Sequence, residues 1–207
     1  MVEVAIMNPM RPRTERDYTP AFEILRTGGI VVIPTDTVYG LVASTLIPEA
    51  VERVFRLRQR DGHKAVIVLI SDETELNQFS IVLDDRTQAF LHSVWPGKVS
   101  VVLPTAEPDD WVHLHRGTES IAFRVPADKA LRAFLKQSGP LIAPSANIAG
   151  QPAATTIATA RKYFGDRVDL YIDGGTLTSA PSTLVRWTSN GIEILRQGAV
   201  TLDIPNA

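Results

Sequence analysis

The stretch Ile30-Val-Val-Ile-Pro-Thr-Asp-Thr-Val-Tyr-Gly40 decides how this chain is read. It opens with a short β-branched run that has the composition of a buried strand, and it halts at Pro34 before two threonines, a carboxylate and a tyrosine. In open α/β sheets the crevice beyond the carboxyl ends of the strands is where ligands bind. Thr35, Asp36, Thr37 and Tyr39 are therefore placed like site residues. The plainer alternative is a capped turn, in which Thr35 or Asp36 bonds its own backbone and Gly40 supplies an unusual dihedral.

Working outward, helices and strands alternate. Before the stretch, Thr19 is set to cap a helix with Pro20 at its first position that stops at Gly28-Gly29. After it, a helix starts near Pro48, buries Val51, Val54 and Phe55 at helical spacing and runs out around Arg58. Residues 65–70 form an apolar run of strand length. Ser71 or Asp72 starts a short helix, and Asp84 or Asp85 another that ends at Trp95-Pro96-Gly97. Val99 to Leu103 is the next strand, residues 104–118 read as loop, and 121–125 as a strand carrying Arg124. A helix over 128–137, a short apolar strand 141–143, a helix near 156–163 closed by Gly165, and a strand 168–172 follow. Asp173-Gly174-Gly175 opens a flexible loop. Segments 182–187 and 192–196 flank Ser189-Asn190-Gly191, a strong hairpin signal, so this pair is expected to be antiparallel. The fold class is α/β with a mixed sheet, without repeats or an obvious linker.

Composition bounds the rest. A chain of 207 residues at 44% hydrophobic content suffices for one well-buried domain. It has no cysteine, which excludes disulfides and thiolate metal sites and fits a reducing cytosol. No segment has the apolar length to cross a bilayer, so a soluble, cytoplasmic protein with no membrane partner is expected. The net charge of -2 rules out a globally basic nucleic-acid binder but not a local positive field. Arg53, Arg56, Arg58, Arg60 and Lys64 cluster within a dozen residues, and the later members leave a helix for a loop at the sheet edge expected to carry Thr37.

Four strand ends share one polar character: Thr35 to Tyr39, Ser145 to Asn147, Asp173 to Ser182, and Arg196-Gln197-Gly198. Arg124, alone on an apolar strand, must either pair with a protein carboxylate or meet an anionic ligand, since an unpaired buried cation is costly. This inventory suits phosphate and carboxylate recognition. There is no Walker A sequence, no Gly-rich dinucleotide fingerprint, and no nucleophile elbow around Ser145 or Ser182. On a strand His113 and His115 would face one way and, with Asp109 or Asp110, mimic a metal site; two histidines in a charged loop are ordinarily solvated, and no metal ligands are expected.

Pro34-Thr35-Asp36-Thr37-Val38-Tyr39-Gly40-Leu41, Arg58-Gln59-Arg60, Trp95-Pro96-Gly97, Arg124-Val125-Pro126, Pro144-Ser145-Ala146-Asn147, Asp173-Gly174-Gly175, Ser182-Thr183 and Arg196-Gln197-Gly198 stand in an order and spacing that resembles the YrdC-like family, over roughly residues 20 to 200. The resemblance implies one YrdC-like domain spanning 1–207, with its core over about 16–200: a single twisted open sheet with flanking helices and a concave basic cleft. It also implies the activity of the threonylcarbamoyl-AMP synthases, a nucleotidyltransfer in which L-threonine, bicarbonate and ATP give threonylcarbamoyl-adenylate and pyrophosphate for the N6-threonylcarbamoyl modification of tRNA adenosine.

By the same resemblance Thr37, Arg124, Ser145 and Ser182 would hold threonine, with Arg124 on its carboxylate. Arg60, Lys64, Ser120, Asn147, Thr155 and Arg196 would hold ATP, and Arg58, Arg60, Ser145 and Asn147 would form the catalytic set. Mg²⁺ is expected to arrive with the triphosphate, a threonylcarbamoyl-transferase complex to act downstream, and tRNA or double-stranded RNA to be a possible contact. Several positions depart from the family pattern: Arg58 stands where a lysine is usual, Leu69 where a histidine often approaches threonine, Asp61 and Ala65 where prolines stiffen the loop, and Pro181 where an acidic residue is frequent. Arg58-Gln59 and Asp61-Gly62-His63 also resemble the YciO branch, whose members tend to lack the Ser-x-Asn pair intact here. The alternatives are thus a YciO-type RNA- or nucleotide-binding protein, or a related carbamoyl-adenylate enzyme.

Overall fold

The computed structural model describes residues 16–59, 66–188 and 191–202. Six α-helices are described: α1 Ala21–Arg26, α2 Pro48–Leu57, α3 Asp85–Val94, α4 Val112–His115, α5 Lys129–Ser138 and α6 Ile157–Phe164. Nine strands form one sheet: β1 Val31–Ile33, β2 Gly40–Ser44, β3 Ile67–Leu69, β4 Val99–Pro104, β5 Ser120–Arg124, β6 Leu141–Ile142, β7 Leu170–Tyr171, β8 Thr183–Thr188 and β9 Gly191–Arg196. Their spatial order is β7-β1-β2-β6-β3-β5-β4-β8-β9. The pairs β1/β7, β3/β5 and β4/β8 are parallel and the others antiparallel, including the expected β8/β9 hairpin. Ser189 and Asn190 lie outside the described residues.

Strand alternation sends neighbouring side chains into two cores. Val32, Leu41, Val68, Phe123 and Val101 face one side, where they meet Val51, Val54 and Phe55 of α2, Leu91 of α3 and Phe164 of α6. Val31, Ile33, Val42, Leu69 and Leu141 face the other, where Leu25 of α1 and Leu131, Phe134 and Leu135 of α5 cover them. The strand residues of this second cluster come only from β1, β2, β3, β6 and β7. On β5, Ile121 and Phe123 enter the first core. Ser120, Ala122 and Arg124 therefore turn to the second face, beyond the edge of its helical cover.

Several local expectations change. Residues 40–44, for which the sequence predicts no strand, are strand β2, paired in register with β1 from Val31↔Val42 to Ile33↔Gly40. Gly40 does not have a positive φ, so it does not supply the unusual dihedral of the capped-turn alternative. The 104–118 segment is not all loop, because a 3-10 turn over Pro108–Trp111 and helix α4 occupy it. Thr19 does not cap α1; Pro20 stands at the cap, and Asp17 Oδ1 accepts the Thr19 N–H at 3.0 Å. Asp72, Asp84, Asp128 and Thr156 do cap their elements by accepting backbone N–H groups, satisfying donors that a helix start leaves open. Among the described residues no helix is long and apolar enough to cross a membrane.

Candidate active site

The loop after β1 is built by its own hydroxyls. Thr35 Oγ1 accepts the Thr37 N–H at 3.1 Å, donates to the Val38 carbonyl at 2.6 Å, and lies 3.0 Å from Thr37 Oγ1. These bonds curl residues 34–39 back over the second sheet face. Asp36 thereby reaches Arg124 at the end of β5: Nη1 stands 2.5 Å from Oδ1, both side chains are under a tenth exposed, and Oδ2 accepts the Ala127 N–H at 2.9 Å. Of the two partners open to Arg124, the structure gives it a protein carboxylate. That bond occupies only one corner of the guanidinium. Nη2 is a distant 3.5 Å from Thr37 Oγ1, and the buried Nε has no hydrogen-bond partner among the described residues.

Three further segments close the cleft. Arg58 at the end of α2 is 7% exposed and directs Nε to the Asn147 carbonyl at 3.2 Å and Nη2 to Ser145 Oγ and Asn147 Oδ1, both at 3.4 Å. Its own carbonyl accepts the Ala149 N–H at 2.7 Å, so the segment 145–149 is held from both sides. Ser182, just before β8, lies 2.9 Å from Ser100 Oγ, and Arg196 Nη2 donates to the Ser182 carbonyl at 2.8 Å. Tyr39 fastens the 173–175 turn: its hydroxyl accepts the Gly174 N–H at 2.9 Å and lies 2.8 Å from the Gly175 carbonyl and 3.1 Å from Asp173 Oδ1. Glycine is required at Gly174, where a Cβ would stand 2.4 Å from Pro34 Cβ.

Together these segments border a cleft open to solvent, lined among others by Thr37, Arg124, Ser145, Ser182 and Arg196. Burial, and then the like charge of Arg124, pull the Arg196 guanidinium below its ordinary pKa. Two cations share the cleft with one carboxylate already engaged, so an anion entering it gains Coulomb energy in a partly desolvated place. The cleft is not at one edge of the sheet as expected. Pairing through β2 and β6 makes β1 and β6 run one way, while pairing through β3, β4 and β8 makes β5 and β9 run the other. Thr37 and Ser145 therefore meet Arg124 and Arg196 across a sheet face.

The remaining expected residues lie elsewhere. Asn147 is committed to its own loop, with Nδ2 donating to the Ile148 and Gln151 carbonyls. Ser120 bonds the Thr118 carbonyl at the far end of β5 from Arg124, roughly 13 Å away at strand rise but on the same face. Thr155 is exposed, and neither it nor Ser120 lines the cleft. Arg60 and Lys64 lie outside the described residues, as do Asp61 and Ala65. Leu69 is fully buried in the second core, opposite Arg124 in register. His113 and His115 sit on α4 rather than a strand, and their Nε2 atoms contact the Thr45 and Pro108 carbonyls. The apolar lining of Val38, Gly40, Ile67, Ala143 and Pro181 had no separate signal in the sequence, because small and aliphatic residues beside strands read as core.

Comparison with known proteins gives the family. The family described as Sua5_yciO_yrdC, telomere recombination, matches residues 23–198. A threonylcarbamoyl-AMP synthase of Pyrococcus abyssi is 32% identical over 86% of the chain, which spans about half (53%) of that protein's length. The crystal structure of P. abyssi Sua5 complexed with L-threonine is similar at TM-score 0.79 and 31% identity, covering 86% of this chain and 53% of that one. The crystal structure of E. coli YciO is similar at TM-score 0.76 and 28% identity, over 86% of this chain and 87% of that one.

Proposed function

The chain belongs to the Sua5/YciO/YrdC family, and from that premise we propose that it is a threonylcarbamoyl-AMP synthase. The observation that carries the reading is the meeting of Thr37, Arg124, Ser145, Ser182 and Arg196 around one cleft, from five separate parts of the chain. Threonine and bicarbonate first give the N-carboxylate with loss of water. One oxygen of that carbamate attacks the α-phosphorus of ATP, the bond from the α-phosphorus to the β-bridging oxygen breaks, and pyrophosphate leaves. Substrate supplies the nucleophile, so the protein's part is to hold two anions in line and offset their charge.

In this reading the Nε–Nη2 edge of Arg124, left open by Asp36, takes the threonine carboxylate as a two-pronged donor. Thr37, Ser145 and Ser182 supply hydroxyls around the amino acid. Arg196 faces the phosphates, joined by Arg60 and Lys64. The nucleotide extends from Arg124 along the same face of β5 toward Ser120, with Asn147 and Thr155 completing its site. Arg58 works by setting Ser145 and Asn147. Mg²⁺ enters as part of the ATP substrate. Asp36 is engaged by Arg124 and Ala127, and among the described residues no three His, Cys, Asp or Glu side chains gather, so the residues do not form a cage for the ion. The adenylate then passes to a threonylcarbamoyl-transferase acting on tRNA.

The test is direct. The purified chain is incubated with ATP, Mg²⁺, bicarbonate and each amino acid in turn, and pyrophosphate release and acyl-adenylate mass are measured. Threonine-dependent formation of both is expected. Salt-sensitive RNA binding without pyrophosphate release would replace the reading with a binding protein.

A further inference from the structure

Of the two histidines that the sequence sets two apart, His115 closes α4 and is only 3% exposed. Its ring nitrogens have opposite duties. Nε2 lies 2.7 Å from the Pro108 carbonyl and so carries the proton, while Nδ1 accepts the Gly117 N–H at 3.0 Å and the Glu119 N–H at 3.3 Å. We propose that His115 is a positioning residue for the nucleotide: its neutral imidazole holds the turn 116–119 that delivers Ser120 to the face of β5 along which ATP lies. The inference rests on the synthase reading and deepens it.

The turn needs such a holder. Arg116, Gly117 and Glu119 have φ of 55°, 86° and 52°, in the left-handed region that residues with a Cβ avoid, and only one of the three is glycine. Two of their amides converge on Nδ1, so one buried acceptor satisfies donors that the turn itself cannot pair. The bonds continue to Ser120. The Thr118 N–H donates to the His115 carbonyl at 3.0 Å, and Thr118 Oγ1 lies 2.7 Å from that carbonyl and 3.1 Å from the Ser120 carbonyl. Ser120 Oγ in turn donates to the Thr118 carbonyl at 3.2 Å. The Glu119 carbonyl accepts the Thr105 N–H at 3.1 Å, which ties the turn to the end of β4. The imidazole thus reaches Ser120 through two backbone amides and one threonine, without touching the ligand.

Asparagine carries an oxygen where histidine carries Nδ1, and glutamine places its amide where histidine has Nε2, so two substitutions separate the ends of the ring. The wild-type chain, His115→Asn, His115→Gln and Ser120→Ala are compared by KM for ATP and for threonine from pyrophosphate release. His115→Gln and Ser120→Ala are expected to raise the KM for ATP by about three- to tenfold, the worth of one neutral hydrogen bond, at unchanged KM for threonine. His115→Asn keeps the acceptor and is expected to stay within about twofold of the wild type. Loss of fold alone would lower kcat without separating the two KM values, and thermal unfolding shows which variants are folded. Thr118→Val, at an exposed position, cuts the link to Ser120 without altering the ring. It is expected to raise the KM for ATP likewise, and it carries the test should a His115 variant not fold. An unchanged KM for ATP in folded His115→Gln or Thr118→Val, or an equal rise in His115→Asn and His115→Gln, overturns the inference and leaves the synthase reading intact. An unchanged KM in Ser120→Ala withdraws Ser120 from the nucleotide site and overturns the inference with it. A wild-type chain that makes no adenylate with any amino acid overturns both the inference and the synthase reading.

Discussion

Asp36 and Arg124, eighty-eight positions apart, form a buried ion pair with 2.5 Å between Oδ1 and Nη1. The carboxylate also anchors the start of the turn after β5 through the Ala127 N–H. A group that binds loop to strand in this way both stabilises the fold and aims the guanidinium.

Asp36→Ala leaves a buried guanidinium without a counter-charge and should lower stability by about 3–5 kcal/mol, the usual cost of removing one member of such a pair. Asp36→Asn keeps an acceptor and should cost less. Urea denaturation midpoints of the two variants measure the difference, and equal loss would show that charge, rather than hydrogen bonding, sets the effect.

Arg124→Ala should raise the KM for threonine far more than that for ATP, because the Nε–Nη2 edge is assigned to the carboxylate. Steady-state kinetics with each substrate varied in turn checks this. Equal rises for both substrates would remove the assignment.

Arg58→Lys retains the charge but not the planar fork that spans Ser145 and Asn147. A fall in kcat with little change in KM for ATP is expected, together with a stability loss near the lower end of about 1.5–3 kcal/mol, since the bonds are long. A raised ATP KM at unchanged stability would instead mark Arg58 as a direct phosphate ligand.

Tyr39→Phe removes the hydroxyl that accepts the Gly174 N–H. A cost of about 0.5–1.5 kcal/mol is expected, with faster hydrogen exchange at the Gly174 amide than at amides of β4. Unchanged exchange there would mean that the 173–175 turn is held by other contacts.

Burial raises the Glu75 carboxyl above its ordinary value, against the opposing hydrogen bonds from Ser71. A carboxyl raised on folding keeps its proton in the folded state after the unfolded chain has lost it. Its contribution to stability therefore falls as pH rises from the ordinary glutamate value of 4.5 through the folded one. Glu75→Gln should flatten that slope in pH-dependent denaturation, and an unaltered slope would assign it to other groups.

Much of this was legible in sequence. Helix α2 followed from Pro48 and the spacing of Val51, Val54 and Phe55, and the β8/β9 hairpin from its Asn-Gly signal. Strand β2 was not, because Gly40, Ala43 and Ser44 have weak strand preference and follow a turn-rich stretch; pairing with β1 and β6 overrides that preference. The Asp36–Arg124 bond was legible only in halves. The sequence places Asp36 among site residues and leaves Arg124 to a protein carboxylate or an anionic ligand, but no local pattern reports that residues 34–39 fold back over β5. Register and strand direction across the sheet are long-range properties, so the side from which each residue enters the cleft had no sequence signature.

The antiparallel bookends of the cleft carry a consequence for biosynthesis. Thr37 is translated well before Arg196 of β9, so a nascent chain holds an incomplete cleft until β9 has been made. Truncation before β9 would leave most of the sheet yet remove the cation beside Ser182.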